Sequence, residues 1–184
     1  ATKRLLADMN DLIPELGYQS SMIMFAPFQQ VQGPVVYQTS GMAGAIGNVP
    51  GKQEIFGRLT PMGPGISRLD GVLSQMRGKT AVIMLSDGVA NVGTDPVMEA
   101  SALVRKYPEV CFHVISFAET KEGKTANEQI ARINNCLVVE GTELLASRAA
   151  LDQFVRDVFY DEVLAKDEVI VLRGIQFDFD KSVI

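Results

Sequence analysis

The sequence predicts an α/β fold, a three-layer sandwich in which a mainly parallel sheet lies between two layers of helices. Residues 80–85 form a continuous apolar run, which is typical of a parallel strand buried on both faces, and residues 110–117 are predicted as a second buried strand. Segments with apolar residues at helical spacing alternate with strand-like runs, as a layered α/β sheet requires. With 184 residues, of which 47% are hydrophobic, the chain is long enough for one domain with its own core.

The N-terminal part is predicted to begin with a helix and to supply one edge of the sheet. Apolar residues at helical spacing predict an amphipathic helix over residues 2–16, which Gly17 ends. Residues 21–26 and 35–39 are predicted as two short strands, the second of them an antiparallel edge strand. The polar, glycine- and proline-containing stretch 29–34 suits a hairpin connection between them.

The middle of the chain is rich in glycine and proline. Residues 41–64 are therefore predicted as a loop with one short helix near residues 53–59, and a second helix is predicted over residues 66–76. The strand over residues 80–85 follows. Asp95 and Pro96 are then typical of a helix start, as N-cap and first-turn residue, and predict a helix that ends near Lys106.

Beyond the strand over residues 110–117, the alternation of helices and strands continues. A helix is predicted over residues 127–133 and a short strand over residues 136–139. The last predicted helix carries one apolar stripe formed by Leu151, Phe154, Val155, Val158 and Phe159.

The charge balance and the hydropathy pattern exclude two classes of partner. The formal net charge is −5 and no basic run occurs, which argues against binding to nucleic acid or to an anionic membrane surface. No apolar run approaches the roughly 20 residues that span a bilayer. We therefore expect neither a nucleic-acid partner nor a membrane span.

Candidate ligand-binding residues lie where the predicted strands end, since ligands of such sheets bind at the carboxyl ends of strands. Asp87 follows the strand over residues 80–85 closely, and Gly88 permits a tight turn. Ser67 ends a glycine-containing segment that precedes this strand. Carboxylate and hydroxyl oxygens suit Mg²⁺, Mn²⁺ or Ca²⁺. Alternatively, Asp87 bonds its own backbone in a turn and Ser67 caps a helix.

Residues 3–163 resemble the von Willebrand factor type A fold. The resemblance rests on Pro-Gly-Ile-Ser-Arg-Leu-Asp-Gly-Val-Leu at 64–73 and on Val-Ile-Met-Leu-Ser-Asp-Gly-Val-Ala-Asn-Val-Gly at 82–93. That family holds a divalent cation with an Asp-x-Ser-x-Ser motif, a threonine and the aspartate of a Thr-Asp-Gly-like turn. The resemblance implies that Asp87 holds the ion and that Ser67, at the threonine position, supplies a hydroxyl. The family's first strand, which precedes the first helix and carries the Asp-x-Ser-x-Ser motif, has no match here.

Residues 169–184 resemble the first strand of the outer-membrane protein A-type, peptidoglycan-associating domain, through Ile-Gln-Phe-Asp-Phe-Asp-Lys-Ser at 175–182. The expected organisation is a type A-like domain over residues 1–163, then a linker and the start of the second domain over residues 164–184. Alternatively, the segment folds back into the vacant strand position, where Asp178, Asp180 and Ser182 imitate the missing motif. The same letters also resemble the nucleophile motif of haloacid dehalogenase-type phosphatases, with Asp178 as nucleophile.

Together the two resemblances imply a non-enzymatic binding module of a cell-envelope protein, in the periplasm and associated with the outer membrane. A divalent cation would bridge the module to a carboxylate of a protein partner, and the following domain would bind peptidoglycan. The alternatives are a metal-free structural or assembly domain of the envelope and a Mg²⁺-dependent phosphatase.

Cys111 and Cys136 each lie at the start of a predicted strand, and these strands are expected to be sheet neighbours. The residues alone leave a disulfide and two buried thiols equally open. The envelope resemblance implies the disulfide, because the periplasm permits one. The single histidine, His113, lies within a buried strand and is expected to be a core residue.

Overall fold

The computed structural model describes residues 2–25, 28–49, 60–160 and 182–183. In this part of the chain, six strands form one sheet in the order β2-β1-β6-β3-β4-β5. The elements in chain order are α1 (Thr2–Asn10), β1 (Gln19–Phe25), β2 (Phe28–Val36), α2 (Thr39–Asn48), α3 (Met62–Ser67), α4 (Asp70–Leu73), β3 (Thr80–Ser86), α5 (Pro96–Lys106), β4 (Val110–Ser116), α6 (Lys121–Arg132), β5 (Val138–Glu140), α7 (Gly141–Ala146), α8 (Arg148–Phe159) and β6 (Ser182–Val183).

The sheet is parallel except at one edge. β2 runs antiparallel to β1, whereas β1, β6, β3, β4 and β5 pair in parallel. Helices cover both faces of this sheet. The predicted α/β class, a mainly parallel sheet with one antiparallel edge strand between two helical layers, is confirmed.

The core consists of two clusters, one on each face of the sheet. Val82 and Met84 of β3 belong to the cluster that α3, α5 and α6 complete. Ile83 and Leu85, which alternate with them, pack against the other cluster, formed largely by α1, α7 and α8. Because each fully buried aliphatic side chain contributes about 1.5–3 kcal/mol, this alternation stabilises both helical layers on a single strand.

Most of the elements that differ from the prediction lie in the first half of the chain. β2 includes residues 29–34, which were predicted as a connection. An edge strand accepts exposed polar side chains and Pro34, whose missing N–H need not join a ladder. α1 ends at Asn10, before Pro14, which cannot continue a helix.

The predicted loop over residues 41–64 contains α2 and the start of α3. Ala45 and Ile46 of α2 are buried, and Lys3 Nζ donates to Gly47 O (2.7 Å) and Val49 O (3.0 Å) at its C-terminal end. Packing of this kind outweighs the low helix propensity of glycine. The helix predicted over residues 66–76 is split into α3 and α4, and the one near residues 53–59 lies outside the described residues.

The second half follows the predicted pattern more closely. β3 and β4 match their apolar runs to within one residue. Asp95 caps α5, because its Oδ1 accepts hydrogen bonds from the backbone N–H groups of Val97 (2.7 Å) and Met98 (3.0 Å). α6 begins earlier than predicted, at Lys121, since Thr120 caps it through Gly123 N. α7 was not predicted.

A disulfide joins Cys111 at the start of β4 to Cys136, two residues ahead of β5. The Cα atoms are 5.7 Å apart, and 25 positions separate the two cysteines in sequence. The expected disulfide is therefore confirmed. It closes the part of the chain that contains α6.

β6 lies in the middle of the sheet. Ser182 pairs with Gln19 of β1 on one side and with Thr80 of β3 on the other. Asp178 and Asp180, together with most of the segment expected to be a linker and the start of a second domain, lie outside the described residues. In the described ranges, no helix is long and apolar enough to cross a membrane.

Candidate binding site at the carboxyl end of the sheet

β3 and β4 both end on a buried serine. Ser86 and Ser116 are direct partners in the parallel ladder. Asn127 of α6, which is fully buried, donates its Nδ2 to Ser86 O (3.1 Å) and to Ser116 Oγ (3.0 Å). Removing this amide would leave two buried acceptors at the strand ends without their hydrogen-bond donor, which costs stability. This polar cluster therefore fixes the two strand ends and α6 relative to one another.

Asp87 follows Ser86 directly and is exposed to solvent. Its Oδ1 accepts a hydrogen bond from Val89 N (3.0 Å), which is the backbone turn expected for an aspartate at this position. Within the described residues, no group donates a hydrogen bond to its other carboxylate oxygen. Asp87 thus combines a turn that orients its side chain with an oxygen open to a ligand.

The turn after Asp87 depends on close approach between backbones. Gly88 has φ +73° and donates its N–H to Ser86 Oγ (2.9 Å). A Cβ atom on Gly88 would overlap the backbone of Gly123, near the start of α6. A Cβ on Gly123 would in turn lie 2.6 Å from Asp87 O. Only glycine at both positions allows the turn to contact α6 this closely.

The other end of the same loop contacts α3. Gly93 has φ +92°, and a Cβ there would overlap the ring of Pro64. A Cβ on Gly63 would overlap the backbone of Thr94. The loop over residues 87–94 is therefore held between α3 and α6, which gives the exposed Asp87 a defined position.

Ser67 lies at the C-terminal end of α3 and is exposed. It is the other end of α3 that lies next to β3, where Ser86 Oγ donates to Met62 Sδ at 3.8 Å. Arg68, the residue after Ser67, lies over the ring of Phe28 in β2 at 5.2 Å. No hydrogen bond joins Ser67 to Asp87, although both belong to the described part of the chain.

The resemblance implies a divalent cation, and such an ion requires several oxygen ligands. Mg²⁺ and Ca²⁺ take six or more oxygen ligands. Asp87 offers a carboxylate oxygen and Ser67 a hydroxyl, but no group of three or more acidic, histidine or cysteine side chains occurs in the described ranges. The described residues alone therefore do not complete a cation site.

Exposed apolar side chains follow Asp87 in sequence, in the same loop and near the start of α5. Val89 and Val92 are each 39% exposed and Met98 is 71% exposed. Exposed apolar side chains bordered by polar groups are found on surfaces that contact another protein.

His113 lies within β4, in contact with the second core cluster. Its Nδ1 accepts a hydrogen bond from Leu137 N (3.2 Å), and its ring meets that of Phe154 edge-on. Burial lowers the pKa of His113 to about 4, so the imidazole is neutral at pH 7. The structure thus gives this residue the core position that the sequence predicted.

The sequence did not single out Asn127, Ser86 or Ser116. The sequence did contain a signal for the two serines, because each strand-like run has a serine at its C-terminal end. Ser86 directly follows residues 80–85, and Ser116 is the second-last residue of 110–117. Asn127 carries no comparable signal, since one asparagine on an amphipathic helix is indistinguishable by pattern from an exposed residue.

No known family profile matches the chain, and no curated protein matches its sequence. The fold is similar to that of an aerotolerance-related membrane protein from Bacteroides fragilis with multiple mutations to serines. The TM-score is 0.63 and the identity 15%, over 85% of this chain and 87% of that one.

The fold is also similar to proximal thread matrix protein 1 (PTMP1) from the mussel byssus, with a TM-score of 0.60 and 19% identity. The match covers 84% of this chain and 40% of PTMP1, so this chain corresponds to less than half of that protein. A PTMP1 structure with a zinc-occupied MIDAS motif gives a TM-score of 0.58 at 19% identity, over 86% of this chain and 41% of that one. The chain has an α/β fold similar to that of von Willebrand type A proteins.

Proposed function

We propose that the chain is a non-enzymatic protein-binding module whose binding surface is the carboxyl end of the sheet around Asp87. The observation that carries this proposal is an exposed carboxylate held in a defined turn, followed in the same loop and near the start of α5 by exposed Val89, Val92 and Met98. A charged group can orient a protein partner, and exposed apolar side chains supply surface that the partner can bury.

The serine hydroxyls at the ends of β3 and β4 are already hydrogen-bonded within the structure, which supports binding rather than catalysis. Ser86 Oγ is buried and bonded to Met62 Sδ and Gly88 N, and Ser116 Oγ accepts from Asn127 and Ala118. These hydroxyls act as structural partners of the backbone, whereas an activated nucleophile needs an adjacent base. A non-enzymatic role agrees with this arrangement.

The more specific proposal is that a divalent cation at Asp87 bridges the module to a carboxylate of the partner, with Ser67 supplying a hydroxyl. The exposed carboxylate oxygen of Asp87 and the zinc-occupied MIDAS motif of the structurally similar PTMP1 support it. A partner carboxylate and water would complete the ligand set, since oxygen ligands are those that hard cations prefer.

Calorimetric titration with Mg²⁺, Mn²⁺, Ca²⁺ and Zn²⁺ tests this proposal. We expect saturable heat for at least one ion and its loss in Asp87→Asn. Asp157→Asn, an exposed aspartate on α8, is the matched control and should behave like the unmodified chain. Absence of heat for every ion, or equal heat in Asp87→Asn, would overturn the cation proposal.

The alternative is a metal-free structural or assembly domain. The hydrogen bond from Val89 N to Asp87 Oδ1 favours it, because a turn residue needs no cation to be held in place. If partner binding persists in the presence of a chelator and Asp87→Asn has no effect on it, this alternative explains the site.

We also propose a periplasmic, outer-membrane-associated location, with peptidoglycan bound through a following domain. The Cys111–Cys136 disulfide supports an oxidising compartment, and one structurally similar protein is a membrane protein. Counting free thiols in protein alkylated during extraction from its own cells tests the location. Two free thiols would contradict it.

A further inference from the structure

The eight methionines of the chain differ in exposure, and all of them lie within the described ranges. Met98, in the first turn of α5, is 71% exposed. Three others are partly buried, namely Met22, Met24 and Met42. The remaining four are at most 8% exposed, namely Met9, Met62, Met76 and Met84. Met98 is thus the methionine that a small solute reaches most easily in the folded chain.

The backbone of Met98 is held in place although its side chain is exposed. Its N–H donates to Oδ1 of Asp95, the residue that caps α5, at 3.0 Å. α5 buries Pro96, Ala100 and Leu103 against the core, so Met98 lies on the solvent side of the helix. The thioether is therefore accessible without any opening of the fold.

The buried methionines have a different environment. Met62 is fully buried in the core cluster that also contains Met84, and its Sδ accepts a hydrogen bond from Ser86 Oγ at 3.8 Å. An oxygen atom added to such a sulfur would need space that a close-packed core does not provide. Because a thioether must contact an oxidant in order to react, these residues react only when the structure opens locally.

We propose that Met98 is a reversible oxidation site, at which a peroxide converts the thioether to the sulfoxide before any other methionine of the folded chain reacts. The sulfur loses two electrons and gains one oxygen atom, while the O–O bond of the peroxide breaks and hydrogen peroxide leaves as water. A methionine sulfoxide reductase reverses the step. Two thiols of a dithiol reductant then become a disulfide, and the sulfoxide oxygen leaves as water.

The consequence for binding rests on the proposed function. Met98, Val89 and Val92 supply exposed apolar surface, and a sulfoxide is polar. Oxidation would therefore reduce the apolar area offered to a protein partner, while the turn of Asp87 keeps its hydrogen bond from Val89 N. The oxidation experiment needs neither a cation nor a partner, so its failure is distinct from a failure of the cation titration at Asp87.

A time course with dilute hydrogen peroxide tests the proposal on the folded, disulfide-bonded chain. Peptide mapping by mass spectrometry follows the addition of one oxygen atom at each methionine. We expect Met98 to react faster than every other methionine, and at least about tenfold faster than the four buried ones. If another methionine reacts first, or if Met98 reacts no faster than Met62, the proposal is wrong.

Two matched variants and the unfolded chain show whether the fold causes this selectivity. Met98→Leu should remove the fastest oxidation and leave the other rates unchanged. Met42→Leu changes a partly buried methionine of α2 in the same way and should retain the fastest oxidation. In concentrated urea, the eight methionines should react at similar rates. A preference for Met98 that persists in urea would show that exposure in the fold is not its cause.

The oxidised chain should differ from the unmodified chain in its surface and not in its core. We expect earlier elution from a hydrophobic-interaction column and an unchanged urea midpoint, because the new polar group is exposed. Methionine sulfoxide reductases for both epimers, with a dithiol, should restore the mass and the elution of an unoxidised chain treated identically. Unchanged elution, a lowered midpoint or resistance to the reductases would contradict a reversible surface site at Met98.

Discussion

At the scale of single residues, contacts between backbones determine where Asp87 lies. Gly88 combines a positive φ with a position where any Cβ would overlap Gly123. The sequence predicted that Gly88 permits a tight turn. It did not predict that Gly123, 35 positions later, must also lack a side chain, because that requirement arises only when α6 packs against the turn.

We expect Gly88→Ala to lower the free energy of unfolding by about 2 kcal/mol or more, through an unfavourable φ and the overlap with Gly123. Urea denaturation measures this change. Gly44→Ala is the control, since Gly44 lies in α2 with open space around it, and it should raise stability by up to about 1 kcal/mol. Equal effects of the two substitutions would contradict the contact described for Gly88.

His113 makes stability depend on pH. Its pKa is about 4 in the folded chain, against an ordinary value of 6.5, because burial disfavours the imidazolium. The unfolded chain therefore binds a proton that the folded chain does not, so this stability is present above pH 6.5 and is lost as pH falls towards 4.

We expect the unmodified chain to lose up to about 3 kcal/mol more than His113→Gln between pH 7 and pH 4. Urea denaturation at several pH values measures the difference, and the variant serves as the reference for all carboxylates that titrate in the same range. Parallel stability curves for the two proteins would show that His113 does not make this contribution.

At the scale of elements, strands buried on both faces could be predicted and edge elements could not. β3 and β4 have continuous apolar runs because helices cover both of their sides. β2 is an edge strand without a fully buried residue, and Gln29, Gln30 and Gln32 obscure it as a strand. α2 contains three glycines and becomes helical through tertiary contacts, such as those of Lys3, that no local pattern contains.

The candidate site follows the same division. Asp87 and Gly88 belong to the loop after a well-predicted strand, and both were identified from sequence. The position of Ser67 depends on where α3 begins and ends, and α3 was predicted to begin four residues too late. Because α3 begins at Met62 and ends at Ser67, Ser67 lies at the C-terminal end of the helix, and no hydrogen bond joins it to Asp87.

The disulfide links β4 to the segment ahead of β5 and closes a loop of about 25 residues that contains α6. In the chain-entropy description, closing such a loop stabilises a protein by about 3–4 kcal/mol. We expect a Cys111→Ser, Cys136→Ser double variant to lose about this much free energy of unfolding, measured in urea. A denaturation midpoint that is unchanged from the oxidised chain would contradict the prediction.

At the scale of the whole molecule, the strand order on one side of the sheet could be predicted from sequence, whereas the position of β6 could not be fixed. β3, β4 and β5 follow one another in sequence and in space, so their order follows from right-handed connections between neighbours. β6 pairs across 102 positions, from Thr80 to Ser182. The fold-back of residues 169–184 was one of several alternatives from sequence, and its two described residues lie between β1 and β3.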